Sequence, residues 1–456
     1  MRAAARRGCA AIAIAASALT LAAAPRPPGP RPLPAPHASS APLRAPSVSF
    51  PATQVARLAN GVTIVSQTTA DSPLIGTQIF VPAGLLQQTP DAAGIAGVTA
   101  AMVLQTPVEG NATLSETVAA VGGSISYTLA PVDTHYYLEC RNADFPRLLH
   151  NLRSALRHPA IAGLPAARAK ALSAIEQLTK NPLESAYAMI RQIRYQGTGF
   201  AFPDSGNALS IRRLSAADVR AYASSYQRGG GTIVALEGAV SPAALAAARS
   251  EFSDFSSVAA PALTNPRLVE RTNQVVEHRN VTVPWVAVAY EAPNQYSPDF
   301  AIMLVIEALL GQGGDVNALA FNSDAAAPAQ YVGAYYQYEA RPGSLIVFLD
   351  GDTGNVDQAI HDLQGGIARL RTTGLSGDLI AQAKRLALGN FYVSIANLSE
   401  ESWLLGRAAA SPDGAQFENL LPQRIAAVSA ADVHRVAQRY LSKETVALVL
   451  PQAASR

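Results

Sequence analysis

Cysteine is scarce in this chain of 456 residues: only Cys9 and Cys140 occur, which excludes a fold held together by a disulfide framework. If the N-terminal segment is removed on export, Cys140 remains alone and no intramolecular disulfide can form. Cys140 ends the apolar run HYYLEC, a context that favours a buried, unreactive thiol over a nucleophile.

Histidines are also few, and their spacing excludes a metal site built from two histidines on one helical turn. The seven are His37, His135, His150, His158, His278, His361 and His434. No two of them stand three or four residues apart, the spacing that places side chains on one helix face. His135, in DTHYY, has no partner evident in the sequence, so we interpret it as structural.

Other common signatures of chemistry are missing as well. The chain has no G-x-S-x-G, C-x-x-C or calcium-loop pattern. The glycine-rich GQGGD (Gly311–Asp315) lacks the lysine of a phosphate loop, and a helix that ends at glycine is its favoured interpretation. Charged residues are only 15% of the chain, the net charge is +2, and the basic residues are spread out. This charge pattern argues against a nucleic-acid partner.

The residues that are plentiful indicate a globular protein. Hydrophobic residues make up 49% of the chain, enough for a large core, and the length predicts two to four domains of ~100–200 residues.

At the N-terminus, MRAAARRG is basic, and the apolar Cys9–Ala24 ends in A-x-A-like cleavage options. A membrane span needs ~20 strongly apolar residues, and this stretch is short and alanine-rich.

We therefore predict a signal peptide over residues 1–24 and an exported, periplasmic or extracellular protein. An uncleaved N-terminus that tethers the protein to the membrane is the alternative. Residues 25–54 are rich in proline, which fixes the backbone and removes hydrogen-bond donors, and they predict an extended linker.

The rest of the chain contains an internal repeat. SAADVRAYASSY begins at Ser215 and SAADVHRVAQRY begins at Ser429, and each is followed by a β run, TIVALEG or TVALVL. Serine three residues before aspartate predicts a capped helix start in both copies. ARAKALSAI at 167–175 and AQAKRLALG at 381–389 are separated by the same interval as the two serines. Two motifs with one common offset indicate two similar halves.

Each half has the same predicted order of elements: β segments, an apolar helix, two long β segments, further helices and a closing strand. This order predicts an α+β fold of two homologous halves, each a mostly antiparallel sheet with helices packed on one face. We expect an N-terminal domain at residues 55–250, a linker at 251–269 and a C-terminal domain at 270–452.

Several phrases of the sequence together resemble a known family. LANGVTIVSQ, GGSISYTLAPVDTHYY and LSAADVRAYASSYQ, in this order and spacing, are similar to the pitrilysin/insulinase (inverzincin) zinc metallopeptidases. That family includes the mitochondrial processing-peptidase subunits. The resemblance covers about residues 55–450 and implies the clam-shell architecture of the family.

The resemblance also shows which chemistry is missing. Family members bind zinc through H-x-x-E-H on the first helix and a glutamate further on. The histidine positions correspond to Gly97 and Ala101, the general-base position to Ala100, and the distal ligand position to Ala174. None of these side chains can bind a metal or move a proton, so we expect no metal, no cofactor and no catalytic residue. Glu176, two residues from the last position, is rotated by about 200° on a helix and is interpreted as solvated.

Active relatives hold substrate with an arginine–tyrosine pair in the second half. Tyr331, in AQYVGAYY, matches the tyrosine, but the arginine position falls near Asp324, and no lysine or arginine occurs between Asn280 and Ala340. Tyr331 is therefore a candidate substrate-binding residue, and an aromatic residue on a half-buried strand is the alternative. GQGGD is similar to a substrate-contacting loop of the non-catalytic processing-peptidase subunit.

The resemblance implies a catalytically inactive homologue that pairs with an active zinc peptidase subunit and holds a peptide or an unfolded polypeptide segment. A sheet edge can bind such a segment through backbone amides, without zinc. A stand-alone peptide-binding or scaffold protein is the first alternative. An active metallopeptidase with an unconventional site is the weaker one, because the ligands of the family are missing.

Overall fold

The computed structural model of the chain describes residues 50–69, 72–263, 273–311, 329–351, 356–372 and 375–452. The predicted signal peptide and nearly all of the proline-rich linker lie outside these residues, and so does GQGGD beyond Gly311. Within these ranges, no helix is long and apolar enough to cross a membrane.

The structure alternates strands and helices. The strands are β1 (Gln54–Arg57), β2 (Thr63–Ser66), β3 (Leu74–Val81), β4 (Pro107–Glu109), β5 (Ala112–Thr113), β6 (Ser124–Leu129), β7 (Thr134–Arg141), β8 (Ile233–Gly238), β9 (Asn273–Arg279), β10 (Trp285–Ala292), β11 (Ala329–Gln337), β12 (Gly343–Gly351) and β13 (Glu444–Pro451). The helices are α1 (Ile95–Leu104), α2 (Leu114–Ala119), α3 (Phe145–Arg157), α4 (Leu164–Leu178), α5 (Pro182–Arg194), α6 (Ala208–Arg213), α7 (Ala216–Ala223), α8 (Pro242–Glu251), α9 (Phe300–Leu310), α10 (Val356–Thr372), α11 (Gly377–Ser394), α12 (Leu398–Ala410), α13 (Phe417–Ala427) and α14 (Ala430–Tyr440).

The strands form two large sheets with equivalent topology. The N-terminal sheet has the order β1-β2-β8-β3-β7-β6, and the C-terminal sheet has the order β9-β13-β10-β12-β11. In each sheet the closing strand, β8 or β13, pairs in parallel with an early strand of its half, β2 or β9. The same closing strand pairs antiparallel with the central strand, β3 or β10. Two mostly antiparallel sheets with helices are the predicted α+β fold.

The two SAAD motifs form the same helix start. The hydroxyl of Ser215 accepts a hydrogen bond from the amide of Asp218 at 3.2 Å, and the hydroxyl of Ser429 accepts from the amide of Asp432 at 3.2 Å. In return, the aspartate carboxylates accept hydrogen bonds from the serine amides at 2.8 and 3.1 Å. Both helices therefore begin with a reciprocal capping box, as the spacing predicts.

One face of each sheet packs on helices of its own half. Alternate residues of β3, such as Ile75 and Ile79, enter a core with α1, α3 and α8. In the second half, Val286 and Val288 of β10 enter a core with α9, α10, α11 and α14. This is the arrangement of helices on one face that the sequence predicts.

The other face of each sheet is covered by a helix of the opposite half, which the sequence analysis did not foresee. We call these contacts the α12 joint and the α5 joint. The buried apolar residues of the α12 joint are Leu405 of α12 and Val65, Phe80 and Ala235 of the N-terminal sheet. Those of the α5 joint are Ala186, Met189 and Ile190 of α5 and Ala287, Ala289, Ile346, Phe348, Ala447 and Val449 of the C-terminal sheet. The exchange of helices ties the two halves together.

A third repeated motif marks the exchanged helices. α5 and α12 share Asn-x-x-Glu-x-x-aromatic-x-x-x-Arg, which runs from Asn181 to Arg191 and again from Asn397 to Arg407. Both asparagines cap their helices, since each side chain accepts a hydrogen bond from the amide of the motif glutamate. At the α12 joint, a Cβ at Gly406 would lie 2.1 Å from the ring of Phe80, so glycine permits the close approach of this helix.

Arg407 of α12 connects two hairpins that belong to different halves. Its guanidinium is 5% exposed and lies 2.5 Å from a carboxylate oxygen of Asp133, between β6 and β7, and 2.5 Å from one of Glu339, between β11 and β12. Asp133 also bonds to His135 at 3.1 Å. Although burial opposes ionisation, the guanidinium lowers the pKa of Asp133 to about 2. His135 thus has a structural partner that the sequence analysis did not identify.

Removal of this guanidinium should destabilise the fold strongly. In Arg407→Ala the buried carboxylate of Asp133 and the half-buried carboxylate of Glu339 lose their cation. Loss of the partner of a buried charge costs about 3–5 kcal/mol. Arg424→Ala is the control, because Arg424 pairs with Asp413 at a more exposed site, where an ion pair contributes about 1 kcal/mol or less. Urea unfolding of both variants measures the difference. Equal losses of stability in the two variants would contradict the role of Arg407.

Candidate functional site

Helix α1 is the element on which the family resemblance places the chemistry. Its N-cap is Gly94, whose φ of 94° is left-handed. The side-chain oxygen of Gln88 accepts hydrogen bonds from the amides of Gly94 and Ala96 at 2.9 and 3.2 Å. A Cβ at Gly94 would lie 2.5 Å from Ile211, so the start of the helix requires glycine. Most of α1 is buried, so its residues mainly pack.

The three positions on α1 that correspond to ligands and base carry no functional group. Ala100 is fully buried, and Gly97 and Ala101 are half-buried on an adjoining face. A Cβ at Gly97 would lie 3.3 Å from the carbonyl oxygen of Asp204 and 3.3 Å from the side chain of Leu129. Both distances are shorter than ordinary van der Waals contact, so a side chain at Gly97 requires its neighbours to shift by a few tenths of an ångström.

The distal position, Ala174, lies on α4. The residue of α4 that packs towards α1 is the next one, Ile175. Ala174 is exposed, whereas Ile175, Leu172 and Ala171 belong to the apolar cluster between α4 and α1. The spacing therefore places Ala174 away from the residues that contact α1. Glu176 is exposed and lies 3.4 Å from Lys180, as expected for a solvated helix face.

No other metal centre replaces the missing one in the part of the chain that the structure describes. There, no group of three or more His, Cys, Asp or Glu residues is placed to hold a metal ion. Glu109 accepts hydrogen bonds from Arg147 and Asn151, and Glu116 forms a capping box with Thr113. Burial raises the pKa of the Cys140 thiol to about 12, so this residue is an unreactive thiol at neutral pH.

The remaining feature of this region is a free sheet edge. β6 is the last strand of the N-terminal sheet, and its residue Leu129 lies against α1 at Gly97. Thr128 is exposed, Tyr127 is half-buried, and burial raises the pKa of Tyr127. The backbone groups along the outer side of β6 have no strand partner among the described residues. Such an edge can pair with an added extended segment.

Tyr331 lies on β11, the corresponding edge strand of the C-terminal sheet, where its backbone is opposite Asp350. Its side chain is outside the part that the structure describes, so its role in substrate binding stays a prediction. Among the described aromatic residues of β11, Tyr335 is 47% exposed and stacks on Tyr187 of α5 with ring centroids 6.0 Å apart, whereas Tyr336 is buried and packs against Phe300.

Arg191 of α5 orders the loop beside α1. It donates to the carboxylate of Asp204 at 2.8 Å and to the carbonyl oxygen of Phe200 at 2.8 Å, and it lies over the Phe200 ring. The carbonyl of the same Asp204 fills the space next to Gly97. The sequence analysis missed Arg191, although its repetition as Arg407 at the end of the shared asparagine-to-arginine motif could have identified it.

Two family models match the chain in succession. Residues 63–203 match the model described as Insulinase (Peptidase family M16), and residues 213–387 match the model described as Peptidase M16 inactive domain. Among curated proteins, subunit 1 of the mitochondrial cytochrome b-c1 complex of Rattus norvegicus is 23% identical over 350 residues, which cover 73% of this chain and 72% of that protein.

Solved structures show the same fold. A protease from Helicobacter pylori has a TM-score of 0.79 at 16% identity and covers 88% of this chain and 100% of that one. The peptidase M16 inactive domain from Pseudomonas fluorescens also has a TM-score of 0.79 at 16% identity. The match covers 89% of this chain and 99% of that one. At this identity the likeness concerns the fold alone.

The geometry predicts that the purified chain binds far less than one equivalent of zinc, because the positions on α1 and α4 offer only methyl groups, hydrogen or alkyl chains. Elemental analysis after extensive dialysis measures the zinc content. Glu176→Ala is the matched variant, since Glu176 is the carboxylate nearest to the distal position in sequence, and its zinc content should equal that of the wild type. One tightly held zinc per chain that Glu176→Ala removes would show that the positions are wrongly assigned.

Proposed function

Since this chain belongs to the insulinase (M16) peptidase family, we propose that it is a non-catalytic subunit that pairs with a zinc-bearing relative and helps it to hold an extended peptide. The observation that carries the proposal is the state of α1. Gly97, Ala100 and Ala101 stand at the chemical positions, and the carbonyl of Asp204 and the side chain of Leu129 narrow the space beside Gly97. The fold is kept while the metal site is replaced by packing.

The peptide-holding part of the proposal rests on β6. This edge strand lies beside α1, and its free amides and carbonyls could accept an extended segment as a further strand. Backbone pairing needs no metal and little side-chain identity, so it survives the loss of the ligands. Tyr331 at the β11 edge remains the candidate side chain for substrate contact.

The pairing part of the proposal is supported by the relatives. The rat protein is by name a subunit of the cytochrome b-c1 complex, so a chain of this family can serve inside an assembly of several proteins. That relative is mitochondrial, whereas the basic and then apolar N-terminus of this chain favours export. We therefore propose that the partner is an active M16 peptidase subunit in the periplasm or at the outer cell surface.

A stand-alone peptide-binding or scaffold protein is the second candidate. The free β6 edge favours it equally, because binding at this edge requires neither zinc nor a catalytic partner. The two candidates differ in a single observable: whether the chain changes the activity of a zinc-bearing relative.

The subunit proposal predicts that the chain alone cleaves no peptide but raises the activity of its partner. The full chain is purified from its native host under mild conditions, and co-purifying M16 relatives are identified. Each chain and their mixture are then assayed on a pool of unstructured peptides. The mixture should cleave faster than the partner alone, since the added chain contributes part of the peptide-holding surface.

Two outcomes would reject the proposal. If no M16 relative co-purifies and the chain leaves cleavage unchanged, the stand-alone binding protein takes its place. If the chain alone cleaves peptides and Glu176→Ala abolishes the cleavage, the chain is an active peptidase with an unconventional site.

A further inference from the structure

The two joints between the halves differ in polarity. The α5 joint is apolar at its centre, and Val449 of β13 is fully buried there. When the VAL sequences of β8 and β13 are aligned, Glu237 of β8 occupies the position of Val449. Glu237 lies on the same face as Ala235, under α12, and is only 2% exposed. The α12 joint therefore buries a carboxyl where its counterpart buries an alkyl side chain.

A second buried carboxyl joins the first from the other half. Glu418 of α13 is 2% exposed, and its carboxylate accepts a hydrogen bond from the side chain of Gln67 in the first half at 2.7 Å. Gln67 also donates to the hydroxyl of Thr53 at 2.9 Å. The half-buried Glu401 of α12 is the third member, because its charge acts on both Glu237 and Glu418. One carboxylate oxygen of Glu237 has no hydrogen-bond partner among the described residues. We call Glu237, Glu401 and Glu418 the carboxyl cluster.

No cation compensates this cluster within the described ranges. None of its three members forms an ion pair there, and the three do not form a metal-binding group. The other titratable groups at the joint are His135, Tyr137 and Glu139 on β7, Asp133 and Glu339 in the hairpins, and Glu400 and Arg407 on α12. Arg407 is engaged by Asp133 and Glu339, and Tyr137 bonds to Glu139.

We propose that the carboxyl cluster is a proton-dependent latch between the two halves: α12 stays seated on the N-terminal sheet while Glu237 and Glu418 are protonated, and it loosens when they ionise. A protonated carboxyl can be buried at modest cost, whereas an unpaired carboxylate cannot. Ionisation also places like charges from both halves next to each other. The latch does not depend on the proposed subunit role.

The direction of the pH effect follows from the environment of the cluster. Burial, together with the charges of Glu401 and Glu418, raises the pKa of Glu237 to about 8, and burial raises the pKa of Glu418 to about 7. Both groups have an ordinary pKa of 4.5, so between pH 4.5 and about 8 the folded chain holds more protons than the unfolded chain. The stability that these two groups contribute is therefore greatest below this window and falls as the pH rises through it.

A tryptophan on the moving helix allows a direct test. Trp403 of α12 packs at the joint, and Trp285 is the other tryptophan of the chain, so Trp285→Phe leaves one reporter. In the full chain carrying this substitution, the Trp403 emission should shift to the red between pH 6 and pH 9, with a midpoint between about 7 and about 8. Glu237→Gln with Glu418→Gln should abolish the shift, because amides do not ionise.

Glu307 provides the matched control. It is buried in the second half, where burial also raises its pKa to about 8. Its carboxylate accepts a hydrogen bond from the amide of Tyr336, so its partner lies in the same half. Glu307→Gln should keep the shift of Trp403. The latch is rejected if the emission does not change from pH 6 to pH 9, or if the shift survives the double substitution. If the double variant does not fold, Glu237→Val takes its place, since it introduces the residue found at the same position of the α5 joint. Glu237→Val should shift the midpoint of the Trp403 transition or abolish it. An unchanged transition would reject the latch.

Discussion

The exchange of helices between the halves is the constraint on which the rest of the structure depends. Each large sheet has two apolar faces, and the helices of its own half cover only one of them. α12 covers the second face of the N-terminal sheet, and α5 covers that of the C-terminal sheet. Neither half covers both faces of its sheet without a helix of the other. Burial of apolar area is the main driving force of folding, so the two halves are expected to fold as one unit.

This constraint does not involve the positions that the family resemblance assigns to the metal site. The joints involve α5, α12 and the sheets, whereas the chemical positions lie on α1 and α4. Histidine or glutamate side chains kept there without a metal would have to be hydrated or paired, at a cost in a partly buried site. Gly97, Ala100 and Ala101 avoid this cost, and the carbonyl of Asp204 lies close to Gly97. The scaffold and the β6 edge are preserved.

The sequence predicted the parts of the fold that follow from local patterns. Ser215 and Ser429 identified two equivalent helix starts, because a capping box is a short-range signal. β runs such as TIVALEG and TVALVL, repeated in both halves, identified the strands. The sequence did not predict the helix exchange, because the apolar face of α5 has the same pattern whether it packs on its own sheet or on the other one.

The details of the site were also beyond local patterns. The family resemblance placed the distal position at Ala174. Ile175, the next residue, packs towards α1, since one residue on a helix is about 100° of rotation. Glu237 lies within the predicted strand TIVALEG, and the sequence analysis did not identify Arg407. Glu237 is buried by a helix of the other half and Arg407 by two hairpins from different halves, and no short-range signal contains that information.

The central claim is that this chain keeps the peptidase scaffold to hold peptide for a zinc-bearing partner. An experimental structure of the chain purified from its native host, with a bound peptide, tests it most directly. The account predicts a second M16 chain in the particle, zinc in that chain only, and an extended peptide paired along β6. A lone chain with zinc bound between its own α1 and α4 would contradict it.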